Sequence, residues 1–572
     1  MTENLGNMSL LCLVDSSDRE EYGNLQEVMW SALDFFGMPY EVFDLAKNSL
    51  SLEVLRSHSV IVIGQGHLGD SLSEEDTKLI VDAVKEGVGL VCFDGDLHRY
   101  KPPFKNALGL RTSEEPTHMP FLTTGRVRIW DNNHFITATK DLHFIQFNKP
   151  MEVGNVVNIE KEHRVLMKIA NGSGRPALIT ETYGKGKVVL FAISPKIWMQ
   201  GYLGHGGGLD DVFWKSIVWA SRKPFAILAM PPFVTIRIDD CSGANDFEWI
   251  KILNKHGFIP HVSLFTDNIG EKGAKIIKEL YDAELAEFSV HAFTYIKQVY
   301  WNPKEPLKVP HRAIEEGNEY SEDELKNFFK KLDDYCEKWG IKWSKVLVVH
   351  YGEIGKNVIP FLKERGIKYF ADPYIFSTPL GKYRIYLSKL KRLKPFNGQG
   401  GIIDYHPDYP EFFIIESRGI KRAFVDFLGE ASRRKVDVEL IVRRTASYIK
   451  NCLDSLFPAV LVTHEPKISI WNSEEWDRLL SRIDELTSKY EKIYKSYSYI
   501  AKYAENLYNS QLTYANYSIT TGEVQCRLEG ESNMPLYLHI FKDKADWVER
   551  SFKEVPAYKG EILIKFKPKD LI

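Results

Sequence analysis

Between Phe233 and Glu465 the chain repeats one pattern, a short apolar run that gives way to polar residues, several of them Asp or His, and then to a helix-like stretch. The runs read FVTIRIDD at 233–240, HVSLF at 261–265, EFSVHA at 287–292, KVLVVHYG at 345–352, YFADP at 369–373 and AVLVTHE at 459–465. Strands this apolar need cover on both faces, and intervening helices supply it in a parallel α/β arrangement. Polar residues collected at the carboxyl ends of such strands sit where an α/β barrel builds its site. The expected fold class is therefore α/β, with a barrel over residues 230–500.

Two further regions flank that segment. Residues 1–225 open with strands alternating with helical patterns, including VIVIG at 60–64 and GLVCF at 89–93, then turn to period-two segments such as RVRIW at 126–130. A hairpin is expected at 176–191, with GKG at 184–186 in the turn. The order of VIVIG, a helix, GLVCF and a late YGKGKV at 183–188 resembles the class I glutamine-amidotransferase-like domains. Such enzymes carry a nucleophilic Cys on a strand-to-helix elbow, whereas Cys92 lies within its strand and reads as core. The resemblance thus implies an amidotransferase-like α/β domain with a β insertion that is not itself an enzyme. Three prolines, Pro224, Pro231 and Pro232, mark a boundary after it. Past a helical stretch at 473–509, residues 510–572 return to period-two pieces and predict a small C-terminal β-sandwich.

Charge and cysteine usage narrow the function classes. Lys plus Arg number 74 against 77 Asp plus Glu, so no net basic field draws the chain to nucleic acid or an anionic membrane. The six cysteines show no C-x-x-C pair, which excludes a zinc ribbon or a disulfide scaffold by spacing. The apolar stretch at 8–14 lacks a basic segment before it, and no window reaches the length of a membrane span. A cytoplasmic protein is expected, and whether it forms a homo-oligomer stays open. LGHGGGL at 203–209 lacks the Lys-Ser/Thr of a phosphate loop and reads as a flexible loop.

The chemistry concentrates in the middle segment. Asp239 and Asp240 close the first strand, one suited to ligate a metal and the other to act as a base, although Asp-Asp before Ser-Gly is also ordinary turn chemistry. His291, His350, Asp372 and His464 follow at the ends of later runs. This ordered set resembles the polysaccharide deacetylase superfamily, the NodB-type carbohydrate esterases, whose fold is an irregular (β/α)7 barrel. IDDCSG at 238–243 matches the family's first motif, and EFSVHAFTY at 287–295 matches the first His of the second motif at His291 while placing Tyr295 where its second His belongs. HYGE at 350–353 stands at the third motif's Arg-x-Pro-x-Gly, Asp372 near the fourth motif, and LVTH at 461–464 at the final Leu-x-His.

By that resemblance Asp240 and His291 ligate a divalent metal, usually zinc, with Tyr295 in the position of the third ligand. Asp239 is the general base, His464 the acid that protonates the leaving amine, and His350 occupies the place of the arginine that orients the base. Tyr351, Asp372, His406 and Trp471 are the expected substrate-binding residues. Three readings of the third ligand stay open: another histidine (His261, His311 or His406), Tyr295 itself on a weaker site, or a site that has lost its metal. Aromatic residues along these loops (Tyr295, Tyr300, Trp301, Tyr374, Tyr405, Tyr409 and Trp471) suit a sugar groove, although most aromatics must be core. The expected function is a metal-dependent deacetylase removing N-acetyl groups from a glycan. The alternatives are a non-catalytic carbohydrate-binding protein on the same barrel, and a glycosidase using Asp239 with Glu287.

Overall fold

The computed structural model describes residues 6–112, 121–158, 163–303, 317–372, 375–376, 402–416, 427–428, 438–544 and 547–568. The chain is mixed α/β and divides into two compact units, Met1–Ala229 with Asn509–Ile572, and Met230–Tyr508.

The first unit is organised by a nine-stranded sheet. Its parallel part orders Tyr40–Asp44, Leu10–Val14, Val60–Ile63, Gly89–Cys92 and Gly186–Phe191 side by side. Leu10–Val14, Val60–Ile63 and Gly89–Cys92 are buried along their whole length, which is why they read as unbroken apolar runs. Pro176–Tyr183, Arg164–Ile169, Phe121–Ile129 and Phe144–Gly154 extend the sheet antiparallel. The expected hairpin is present, with Tyr183 opposite Gly186. Gly184 turns it at φ +60°, where a Cβ would stand 2.5 Å from the Lys85 carbonyl oxygen. Cys92 is wholly buried, its thiol 3.6 Å from the Tyr100 hydroxyl, and burial pushes its pKa far above the usual thiol range. This is a core cysteine.

The sequence places residues 510–572 apart as a module of their own, yet they cluster with this first unit. Phe225–Ile227, within the proline-marked boundary, pairs antiparallel with Leu536–Lys544, which in turn pairs with Trp547–Val555. Ser510–Ser518, Glu523–Ser532 and Tyr558–Phe566 form a second small sheet.

The second unit carries the repeated pattern. Its elements are β1 (Phe233–Cys241), α1 (Glu248–Lys255), β2 (His261–Phe265), α2 (Glu271–Asp282), β3 (Glu287–Ala292), α3 (Glu322–Trp339), β4 (Val346–Leu347), β5 (Tyr369–Phe370), β6 (Ile403–Tyr405), β7 (Phe413–Ile415), α4 (Val438–Asp454), β8 (Ala459–His464), α5 (Ser473–Leu486), β9 (Ile493–Tyr494) and α6 (Tyr497–Tyr508). One sheet runs β3-β2-β1-β8 in parallel, with β9 also pairing β1. A second runs β4-β5-β7-β6, parallel except for the β6–β7 pair. The strand faces alternate as period two requires. Ile236, Ile238, Val262, Leu264 and Phe288 join a core with α1, α2, α4 and α5 residues, while Arg237, Asp239, His261, Ser289 and His291 lie on the other faces. The helices start where their caps dictate. Ser321 and Glu324 close a capping box on α3, and Asn472 and Glu475 do so on α5. Among the described residues no helix is long and apolar enough to cross a membrane.

Candidate metal and catalytic site

Two adjacent residues of a regular strand face opposite ways, so Asp239 and Asp240 reach one site only if the strand is broken there. It is broken twice. Between β1 and β2 the register slips after Ile238, three residues of β1 spanning two of β2, which is a bulge. Asp240 itself adopts φ +56°, a left-handed conformation costing a non-glycine residue on the order of 1–2 kcal/mol. Asp239 stays in the ladder on its other side, opposite His464 of β8.

The bulge delivers Asp240 to two histidines. Its Oδ1 lies 3.2 Å from His291 Nε2 and 3.2 Å from His350 Nδ1. His291 comes from the end of β3 and His350 from the short helical turn His350–Gly352 that follows β4. His291 Nδ1 donates to the Val348 carbonyl at 3.0 Å, which fixes the ring and turns Nε2 toward Asp240. The imidazole rings stand 4.8 Å apart, with Phe265 against both. All three side chains are largely buried. Burial works to raise the Asp240 pKa, but the two histidines and His464 prevail and hold it far below the usual carboxylate range. Burial pushes His350 down to about 4, so at neutral pH its ring is neutral and offers a lone pair.

One carboxylate oxygen and two imidazole nitrogens, all within 4.8 Å of one another, are a donor set able to hold a divalent ion. Two observations favour that use. Asp240 Oδ1 is buried with no hydrogen-bond partner among the described residues although two ring nitrogens stand beside it. Donors about 2.0–2.2 Å from a common tetrahedral ion lie roughly 3.4 Å apart, close to the two 3.2 Å separations from Asp240 Oδ1.

Asp239 is held by a residue that motif reasoning passed over. Arg237 Nε donates to both carboxylate oxygens, at 2.9 and 3.0 Å, and Nη2 donates to Oδ2 at 2.6 Å. Its Nη1 reaches Asp372 Oδ2 at 2.8 Å. Burial opposes ionisation of Asp239, but Arg237 and then His291 outweigh it and hold its pKa at about 2. The arginine expected in the third motif is thus absent from position 350, and one two residues before Asp239 on the same strand face does the holding. Period two carries that signal in the sequence.

Glu465, the residue after His464, was also unread. Its carboxylate accepts the Ser242 N–H at 2.5 Å and the Ala244 N–H at 3.1 Å, so it ties down the loop that leaves Asp240.

The remaining expected residues fall in different places. Tyr295 stands beside the cluster, its ring edge-on to His350 at 5.4 Å and 36% exposed. Asp372 joins the site through Arg237. His406 is buried under Phe370 and Tyr409, and its Nδ1 accepts the Asp408 and Tyr409 N–H groups at 3.2 Å, a turn-stabilising arrangement apart from the cluster. Trp471 packs against the core that contains Ile468 and Trp476. His261 is wholly buried on β2, between Glu287 Oε1 at 2.9 Å and Ser289 Oγ at 2.8 Å, and Glu287 also takes the Ser498 N–H. That carboxylate is committed to a buried network. Tyr300 and Trp301 are core. The Tyr351 side chain, His311 and Tyr374 lie outside the described residues.

The chain therefore has an α/β fold whose strand ends converge on a three-residue metal-type donor set beside an ion-paired aspartate. Its fold is similar to that of Agd3, described as a novel carbohydrate deacetylase, with a TM-score of 0.61 at 9% identity over 98% of both chains. A cytoplasmic protein from Salmonella typhimurium (TM-score 0.28, 14% identity, 38% of this chain and 100% of that one) and a β-galactosidase from Bacillus circulans (TM-score 0.27, 13% identity, 39% and 33%) show only partial likeness. No protein-family model and no curated protein matches the chain.

Proposed function

We propose that this protein is a metal-dependent deacetylase that hydrolyses N-acetyl groups of a glycan. The observation that carries the reading is the convergence of Asp240, His291 and His350 beside an Asp239 clamped by Arg237, with His464 opposite in register. The fold shared with a carbohydrate deacetylase supports it. In this reading Asp240, His291 and His350 hold the ion, and His350 takes the third-ligand role for which Tyr295 and three other histidines were candidates.

A divalent ion bound there supplies Lewis-acid polarisation of the acyl oxygen and acidifies a water. Asp239 is ionised at neutral pH and accepts the proton of the attacking water. Arg237 fixes the direction of that carboxylate while leaving Oδ1 with a single donor, and hence with a free lone pair for the proton. His464, across the β1–β8 pair, donates a proton to the departing nitrogen so that an amine leaves rather than an amide anion. Tyr295 stands beside the donor set with its ring against His350, and a neutral sugar is the expected substrate.

The test is acetate release from N-acetylated oligosaccharides by zinc-loaded protein, alongside the metal content of the purified chain. Loss of acetate release in Asp239→Asn and in His291→Ala is the expected result. Sugar binding that survives both His291→Ala and chelation, with no acetate formed by the parent protein, would instead assign a carbohydrate-binding role.

A further inference from the structure

Asp240 faces the two histidines with its backbone left-handed, a state that aspartate tolerates better than most residues but that still costs energy. The chain after it is unusual as well. Gly243 has φ +84°, and Asn245, Asp246 and Phe247 follow at φ +53°, +54° and +58°. A succession of non-glycine residues in this region persists only where the surroundings over-determine it. One buried side chain reaches this loop from the end of the neighbouring strand β8. Glu465 is 1% exposed, and its two carboxylate oxygens separately accept the Ser242 and Ala244 N–H groups, two and four residues past Asp240. Burial raises its pKa and these backbone donors oppose the rise.

Glu465 also stands at a point of leverage. β8 pairs with β1 so that His464 lies opposite Asp239, and Glu465 is the next residue, opening the helical turn Glu465–Ile468. A single strand end thus presents the imidazole expected to act as acid and the carboxylate that gathers the loop beyond the bulge. The link is direct and short, with no intervening side chain.

We infer that Glu465 is the positioning residue of the metal site: it holds Asp240 in its left-handed conformation by clamping the following backbone, and so preorganises the donor set. This rests on Asp240 being a metal ligand. Residues that orient ligands without touching the ion typically cost about 10–100-fold in metal affinity when removed.

The test compares the full-length parent with Glu465→Ala, Glu465→Gln and Ile468→Ala. Ile468 is a buried core residue of the same helical turn, so its truncation loosens packing without removing an acceptor from the loop. Two quantities are measured on each: amide hydrogen exchange of the 240–247 segment in chelator-treated protein, and the zinc dissociation constant by competition with a chromophoric chelator. In Glu465→Ala, exchange at Ser242 and Ala244 should accelerate about tenfold or more and zinc affinity should fall about 10–100-fold. Glu465→Gln, which retains one acceptor oxygen, should lie between, and it carries the test if the alanine variant does not fold. Ile468→Ala should leave the zinc constant within about twofold of the parent. Unchanged exchange and zinc affinity in the folded Glu465 variants, or an equal loss in Ile468→Ala, overturns the inference. A parent that binds no zinc removes the metal reading, and the exchange comparison alone then decides whether Glu465 holds the loop.

Discussion

Arg237 holds Asp239 from two positions earlier on the same strand, with three donor–acceptor contacts to one carboxylate and a fourth to Asp372. Both partners of this arginine are buried carboxylates, so removing it strands two charges. Breaking a buried pair from one side costs about 3–5 kcal/mol, because the remaining charge is left without compensation. Arg237→Met is therefore expected to destabilise the second unit by about that amount. Adding Asp239→Asn and Asp372→Asn to it should recover a large part of the loss. Denaturant unfolding of the single and combined variants measures the coupling, and a purely additive cycle would contradict the pairing.

The donor set makes a sharper demand on metal content. His291→Ala, His350→Ala and Asp240→Ala should each abolish stoichiometric binding of a divalent ion, while Tyr295→Phe should leave it near the parent value. Elemental analysis after purification, followed by zinc titration, distinguishes these outcomes. Retained binding in His350→Ala with loss in Tyr295→Phe would return the third-ligand role to the tyrosine.

How much of this was readable without coordinates follows from what each signal reports. The apolar runs gave the parallel strands and placed Asp240, His291, His350 and His464 at strand ends, because burial on both faces leaves a continuous hydrophobic trace. The bulge at Asp239–Asp240 left none, since a one-residue slip changes pairing and not composition. The third imidazole was ambiguous for a related reason. VLVV before His350 is apolar on every face, so period two could not say which way that histidine points, and its approach to His291 is set by tertiary structure, the neighbouring His291–Val348 hydrogen bond itself spanning 57 residues. Arg237 was legible in principle, being on the face of Asp239, but a motif comparison looks for an arginine at a fixed position. Of the strands past residue 509, Glu523–Ser532, Leu536–Lys544 and Tyr558–Phe566 were recognised in the sequence and Ser510–Ser518 and Trp547–Val555 were not, while Phe225–Ile227, the partner of Leu536–Lys544, lies some three hundred residues away and was read as linker.

Glu287 offers a way to separate stability from chemistry. Burial favours its protonated form, but His261 and Ser498 hold its pKa below the usual range. Glu287→Gln keeps the shape and removes the charge, so it should lower the stability of the second unit by about 1–3 kcal/mol through the lost charge-assisted contacts. Acetate release per folded molecule should stay within about threefold of the parent, since the side chain serves His261 and not the donor set. A loss of turnover at unchanged stability would revive a role for this carboxylate in catalysis.

His539 sets an acid limit on the first unit. It is wholly buried on Leu536–Lys544 against Phe552, and neither ring nitrogen has a partner in hydrogen-bond geometry among the described residues. Burial, reinforced by the Arg550 charge, pushes its pKa well below the usual value, the Ala229 backbone opposing only in part. The sign follows from proton counting. In the unfolded chain the imidazole takes a proton below about 6.5, while in the folded chain it stays neutral, so the unfolded state binds more protons and stability falls as pH drops through that value. Each pH unit below it costs at most about 1.4 kcal/mol from this group until the folded ring itself is forced to charge. His539→Leu should flatten the stability profile of the first unit between about pH 7 and 5 and raise its stability at the acid end. The ring's apolar contacts with Phe552 are largely kept by leucine, and no hydrogen bond is lost with the nitrogens. Thermal unfolding across that pH range, compared between the two proteins, checks the claim; parallel profiles would mean that His539 finds a proton acceptor in the folded state after all.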